Sequence, residues 1–193
     1  MVGRDWETHY REGDIPWNHG EPAPGLVDFL AANPGLDRRP VLVPGCGLGN
    51  DAVTWAKAGF PTTGLDLAPT AVSLARGATA GVAGLSFESG NFLEVPEAGH
   101  SFGWVFEHTL YCAIQPELRA AYAEALPRWV GPGGQFVAIH YLNPAAAEGP
   151  PFPCTRDEIL ARFGRHFELV ADWQPRSWDN RAGREWMFWW RRR

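Results

Sequence analysis

The sequence is poor in cysteine, with three cysteines among 193 residues. Their number is odd, and they are scattered without the paired spacing of a metal site. We therefore expect reduced thiols in a cytoplasmic protein, because disulfides persist mainly in oxidising compartments. The six histidines also lack a ligand spacing such as H-x-x-x-H, so the sequence predicts no metal site.

The chain also lacks a long apolar run and an excess of basic charge. No segment approaches the ~20 apolar residues of a membrane span, and residues 1–5 contain no apolar signal core. The 17 basic and 22 acidic side chains give a net charge of −5, which offers no electrostatic footprint for nucleic acid. We expect a single domain over residues 1–193, a monomer or weak homodimer with a small-molecule substrate and neither a nucleic-acid nor a membrane partner.

Strand and helix patterns alternate along the chain. The predicted strands are 41–43, 61–65, 85–88, 102–106, 135–141, 167–173 and 186–190, the last two forming a hairpin. The predicted helices are 23–33, 50–58, 69–76, 116–130 and about 155–163, with a glycine-proline stop at 131–134. Repeated βα units predict an α/β fold with a doubly wound, mostly parallel, seven-stranded sheet covered on both faces. Ligands of such sheets bind at the carboxyl ends of the strands, where the strand order reverses.

A glycine-rich turn follows the first predicted strand. It consists of Gly45, Cys46, Gly47, Leu48 and Gly49. Glycine lets the backbone turn sharply and come close to a ligand, since it has no Cβ, and the following helix directs its N-terminal amides at that ligand. Asp66 lies about 20 residues further on, where a ribose-binding acid is expected. The pattern predicts a cofactor of the adenosine type.

The residues after the turn indicate which cofactor. A dinucleotide fingerprint needs G-x-G-x-x-G, whereas this chain has Asn50 at the third glycine position and the anion Asp51 beside it. A cationic ligand without phosphate, such as S-adenosylmethionine, fits better than NAD. Two alternatives stay open: a plain glycine turn of an α/β domain, and a helix-capping role for Asp66.

Several motifs together resemble a known family. The glycine turn and the segment 64–66 (GLD) are similar to the cofactor segments of class I S-adenosylmethionine-dependent methyltransferases. The chain more narrowly resembles the thiopurine methyltransferase superfamily, and within it the halide/thiol methyltransferases. The further motifs that carry this resemblance are an N-terminal W-x3-W-x6-W signature, the segment FEHTLYCAI at 106–114, and the GPPF insert at 149–152. The resemblance covers nearly the whole chain and implies a Rossmann-like methyltransferase fold.

The resemblance also implies residues that contact the adenine. Leu67 is expected to pack on the ring, Asn91 to meet its exocyclic amine, and Phe92 to contact it. Relatives usually carry Asp where this chain has Asn91, which keeps an acceptor and loses the charge. A turn residue is the alternative role for Asn91.

The aromatic residues Trp6, Tyr10 and Trp17 occupy the signature, with Tyr10 in the place of the middle tryptophan. The residues between them are mostly polar, which favours a flap over a ligand within residues 1–20 rather than a core helix. Aromatic faces attract a sulfonium by roughly 0.5–2 kcal/mol. The alternative, which is compatible with the first, is that the tryptophans only staple an N-terminal arm to the domain.

Glu107 and His108 follow the carboxyl end of the fourth predicted strand, beside the expected methyl position, and are the candidate catalytic residues. His108 could act as a base, since histidine titrates near neutrality; the aromatic residue of relatives at this position implies packing against the cofactor instead. The leading function is methyl transfer to a thiol, with halide as a further acceptor. Another small acceptor, such as a selenium or tellurium oxyanion or an O or N group, and a non-catalytic cofactor-binding protein are the alternatives.

Overall fold

The computed structural model describes residues 5–94, 102–142 and 149–193. Its seven strands form one sheet in the order β3-β2-β1-β4-β5-β7-β6. They are β1 Val41–Pro44, β2 Thr62–Asp66, β3 Leu85–Ser89, β4 Phe102–His108, β5 Val130–Tyr141, β6 Phe167–Trp173 and β7 Glu185–Arg192. Neighbours pair in parallel except β7, which is antiparallel to both β5 and β6. The predicted seven-stranded, mostly parallel sheet is confirmed.

Six α-helices are present in the described segments. They are α1 Trp6–Glu12, α2 Pro24–Ala32, α3 Asn50–Lys57, α4 Pro69–Ala78, α5 Arg119–Trp129 and α6 Arg156–Phe163. Helix α6 begins as the sequence predicts, since the Thr155 side chain accepts a hydrogen bond from the Glu158 N–H. None of these helices is long and apolar enough to cross a membrane.

Helix α1 was not among the predicted helices, although its ends carry clear signals. Asp5 accepts a hydrogen bond from the Thr8 N–H at the start, and Gly13 ends the helix in the left-handed region. The polar residues between the aromatic side chains obscure the helical period of this segment. Residues 1–4 of the predicted flap lie outside the described residues.

The predicted helix stop before residues 131–134 is confirmed to within one residue, but the prediction that β5 starts only at 135 is wrong. These residues belong to β5, which pairs with β4 at Val130 and again from Gln135, with an irregularity between Phe102 and Trp104 of the partner strand. A 3-10 turn at Pro116–Leu118 precedes helix α5, which ends at Trp129, one residue before the predicted end. Glycine and proline are tolerated here because a bulge takes them out of the regular ladder.

Two apolar layers cover the sheet. Alternate side chains of each strand point to opposite faces, so Trp104 and Phe106 pack with helices α2 and α3, whereas Val105 packs with α5 and α6. The strand order reverses between β1 and β4, which are paired neighbours. The segments that follow these two strands meet at this point, where α/β sheets bind ligands.

Candidate active site

The glycine turn lies directly after β1. Gly47 and Gly49 have positive φ angles of 52° and 85°, which L side chains rarely adopt. A Cβ at Gly49 would also lie 2.6 Å from the Phe87 ring. The Cys46 N–H donates to the Leu65 carbonyl at 3.1 Å, which ties the turn to β2.

The Asp66 carboxylate is buried beside this turn. It accepts hydrogen bonds from the Gly47 N–H (2.8 Å) and the Ala68 N–H (3.0 Å). Burial raises the pKa of Asp66, against the lowering effect of these N–H donors. The Leu67 N–H also acts on this carboxylate, and a carboxylate has about four lone-pair sites, so the group retains acceptor capacity for a ribose hydroxyl. The bond to the Ala68 N–H closes an Asx turn before α4 and is not a helix cap, since Ala68 is itself the N-cap residue.

The residues expected around adenine separate into two groups. Leu67, next to Asp66, is 55% exposed and presents an apolar side chain at the edge of the site. Asn91 uses its side chain in its own turn, accepting from the Leu93 N–H and donating to Glu94. Phe92 is buried, with its ring stacked against Trp129 at 5.7 Å. The structure therefore brings Leu67 to the site, favours the turn role for Asn91, and places the Phe92 ring in the core.

The three aromatic residues of the N-terminal arm come together over the glycine turn. Tyr10 is buried, and its hydroxyl accepts a hydrogen bond from Trp17 Nε1 at 3.3 Å. Trp6 meets Trp17 edge to face at 5.3 Å. A Cβ added to Gly47 would lie 2.8 Å from the Tyr10 hydroxyl. This aromatic cluster also packs on Leu48 and the start of α4, neighbours that are distant in sequence.

Glu7 fastens the arm to α4. The first residues of α4 lack a capping side chain, and the Glu7 carboxylate accepts hydrogen bonds from the Thr70 N–H (3.0 Å) and hydroxyl (2.6 Å). A carboxylate at a helix N-terminus is favourable for the helix dipole as well. These hydrogen bonds lower the pKa of Glu7. The sequence carries no signal for this pair, because the two residues are 63 positions apart.

His108 lies in a network of charged groups at the end of β4. Its Nδ1 is 3.1 Å from Asp51 Oδ2, and its Nε2 is 3.2 Å from Glu185 Oε1. Arg181 donates to Glu185 at 3.1 Å and to the Trp17 carbonyl at 3.2 Å, which links the network to the arm. Sequence reasoning missed Arg181 and Glu185, which lie in and after the 174–184 connection and carry no motif.

The carboxylates of this network control the charge of His108. Burial lowers its pKa, but the hydrogen bonds and charges of Asp51 and Glu185 together outweigh burial and raise the pKa of His108 to about 9. The same pairing lowers the pKa of Glu185 against the effect of its burial. The raised pKa favours the protonated form of His108 at neutral pH. Both of its nitrogens lie near carboxylates, and Arg181 Nη1 also lies 3.3 Å from Nε2.

Glu107 points away from His108, into the interior. Its carboxylate is fully buried and accepts hydrogen bonds from the N–H groups of Leu110 (2.7 Å) and Tyr111 (3.1 Å). Its other oxygen lies 2.6 Å from His140 Nδ1. The structure therefore separates the two candidate catalytic residues, since strand neighbours point to opposite faces. In the described ranges, no group of three or more His, Cys, Asp or Glu side chains is arranged to hold a metal ion.

Comparison with known proteins identifies the family. The family model described as thiopurine S-methyltransferase matches residues 1–185. The chain belongs to this family. It is 31% identical over 172 residues to a probable thiol methyltransferase 2 of Arabidopsis thaliana, covering 86% of this chain and 74% of the relative. It is 30% identical over 190 residues to a thiocyanate methyltransferase 1 of Brassica oleracea, covering 93% and 81%.

A solved structure supports the fold. It concerns the conversion of a disulfide bond into a thioacetal group during echinomycin biosynthesis. The structure superposes on this chain with a TM-score of 0.81 and 24% sequence identity. The match covers 100% of this chain and 92% of that chain. The family shows that this protein is a methyltransferase that uses S-adenosylmethionine. The resemblance inferred from the sequence motifs is confirmed.

Proposed function

We propose that this protein transfers the methyl group of S-adenosylmethionine to a small, soft nucleophile, most often a thiol. The observation that carries the choice of acceptor is the state of His108. A histidine whose pKa is raised and whose two nitrogens contact Asp51 and Glu185 is a poor general base at neutral pH. A thiol, with a pKa near ~8.5, loses its proton with slight electropositive help. The relatives named for thiol and thiocyanate methylation agree with this choice.

The cofactor-binding residues are proposed from the same geometry. Asp66 would accept from the ribose hydroxyls, and the exposed Leu67 would cover one face of the adenine. The glycine turn would let the methionine portion approach the backbone. The cluster of Trp6, Tyr10 and Trp17 offers aromatic faces to a sulfonium or an ammonium. His108 is proposed to line the methyl position as a fixed cation rather than as a base.

The reaction places modest demands on the protein. When bound, S-adenosylmethionine supplies a methyl carbon that is already activated by its sulfonium. The acceptor thiol would lose its proton to solvent before the arm closes. Its sulfur would then take the methyl group from the sulfonium, with S-adenosylhomocysteine as the leaving group. Holding the nucleophile in line supplies roughly 7–11 kcal/mol of the barrier reduction. The arm, fastened by Glu7 and Arg181, would exclude water from this alignment.

The first test is cofactor choice. We expect calorimetric titration to detect binding of S-adenosylmethionine and S-adenosylhomocysteine and none of NAD, because Asn50 and Asp51 replace the features of a pyrophosphate site. Release of S-adenosylhomocysteine is then measured with a panel of thiols, halides and oxyanions. Thiols are expected to react fastest. Faster reaction of an oxyanion or an O or N acceptor would overturn the choice of acceptor, and binding without any turnover would indicate a non-catalytic protein.

The second test concerns the arm. We expect S-adenosylhomocysteine to slow tryptic cleavage after Arg11, in α1, because ligand contacts with the aromatic cluster hold the arm closed. Glu7→Ala should speed this cleavage in the free protein, since it removes the hydrogen bonds that attach the arm to Thr70 of α4. Glu117→Ala, at an exposed position outside the arm, is the control. Equal cleavage rates with and without bound ligand would show that the arm is not gated by the cofactor.

A further inference from the structure

The backbone after His108 is strained at one residue. Thr109 has a φ of 55°, and within the described ranges it is the one residue other than glycine with a positive φ. A β-branched side chain is especially unfavourable in this region. Such strain persists only where the surroundings enforce it, and it is concentrated at functional sites. Thr109 lies between His108 and Leu110, whose side chain contacts the glycine turn at Gly45.

Hydrogen bonds on both sides of Thr109 hold this bend. The Thr109 N–H donates to the Ile139 carbonyl at 2.9 Å, which fixes the bend to β5. The next two N–H groups, of Leu110 and Tyr111, both donate to Glu107 Oε2. The Cys112 thiol donates to the Thr109 carbonyl at 3.1 Å. Glu107 therefore acts as the cap of the short 3-10 turn at Tyr111–Ala113.

Glu107 in turn depends on His140. The carboxylate is fully buried, and a buried charge is costly unless it is compensated. His140, also buried, brings Nδ1 to 2.6 Å from Glu107 Oε1, at ion-pair distance but outside hydrogen-bond alignment. The imidazole is stacked parallel to Phe163 at 5.8 Å. Among the described residues its Nε2 has no hydrogen-bond partner, so the contact with Glu107 is its polar role.

The bend positions residues on both sides of the candidate site. His108 precedes it and carries the charged network. Leu110 follows it and presses on the glycine turn, since a Cβ at Gly45 would lie 2.8 Å from Leu110 Cδ1. We propose that His140 and Glu107 form a buried clamp that holds the strained Thr109 bend, and that His140 is thereby a positioning residue for methyl transfer. The positioning role rests on the proposed function; the clamp itself does not.

The test is a double-mutant cycle between His140→Gln and Thr109→Gly. Loss of the clamp should lower kcat about tenfold to a hundredfold with little change in the acceptor KM, since a misplacement of ~1 Å has effects of that order. Affinity for S-adenosylhomocysteine should fall roughly tenfold, the equivalent of about one lost hydrogen bond. Glycine adopts a positive φ without strain. Thr109→Gly should therefore restore most of both losses in the His140→Gln background and change little alone.

Two controls define the result. Thr109→Ala retains a Cβ and should rescue much less than glycine, while Glu107→Asp, which keeps the charge, should retain more activity than Glu107→Gln. Additive effects of His140→Gln and Thr109→Gly would overturn the clamp. So would a His140→Gln variant whose folded fraction keeps the wild-type kcat. If His140→Gln does not fold, the double variant is expected to fold, and its failure contradicts the proposal.

The readouts separate the clamp from the proposed function. Binding of S-adenosylhomocysteine and the thermal midpoint need no acceptor, so the rescue by Thr109→Gly can be measured even if no methyl acceptor is found. A wild-type protein without transferase activity would contradict the proposed function. The coupling between His140→Gln and Thr109→Gly, measured by binding and thermal midpoint, would still test the clamp.

Discussion

Replacing Asp66 by alanine should weaken binding of S-adenosylmethionine and S-adenosylhomocysteine by about 2 kcal/mol or more, roughly thirtyfold. The variant loses a charged acceptor for the ribose hydroxyls, and charged hydrogen bonds are the stronger ones. It also frees the N–H groups of Gly47 and Ala68, which loosens the glycine turn. Isothermal titration calorimetry of the purified variant measures the loss.

Asp66→Asn separates the two parts of this effect. Asparagine keeps one oxygen acceptor for the backbone and loses the charge. It should therefore preserve the turn better than alanine while still weakening the binding of the cofactor. The thermal midpoint establishes that each variant is folded. An unchanged affinity in a folded Asp66→Ala protein would refute ribose binding and leave a structural role in the turn before α4, where Asp66 accepts from the Ala68 N–H.

The parts of the fold that sequence patterns predict are the local ones. Strand positions follow from short apolar runs, and the glycine turn with Asp66 follows from spacing along two consecutive strands. The same local logic fails where glycine and proline lie within a strand, as at 131–134, because pairing with β4 on both sides overrides the turn preference of these residues. Local patterns predicted the place of the site but not its side-chain directions.

Side-chain direction and long-range polar contacts were beyond sequence reasoning. Phe92 follows a strand, and only the packing of Trp129 against its ring shows that it faces the core. The partners of His108 come from α3 and β7, 57 and 77 positions away. Glu107 was predicted as a catalytic candidate because it adjoins His108, yet adjacent strand residues point to opposite faces. The buried position of Glu107 is consistent with the proposed clamp, and His108 stays a proposal for the methyl position.

His108 should make stability fall with rising pH. Its pKa in the folded protein is about 9, above the ~6.5 of an unfolded histidine. The stabilisation from Asp51 and Glu185 is therefore complete below pH ~6.5 and is lost as pH rises through about 9. The free energy of unfolding of the wild type should fall by about 3 kcal/mol across this window, relative to His108→Gln, which has no proton to lose.

Urea unfolding at pH 6, 7.5 and 9 measures this difference. His166→Gln is the matched control, because His166 pairs with Glu124 in a more exposed position and should follow the wild-type curve closely. Parallel curves for wild type and His108→Gln would show that His108 is not held as a cation. In that case a neutral imidazole would be available at the methyl position, and its role as a general base, with acceptors of higher pKa such as hydroxyl groups, would replace the assignment to a thiol.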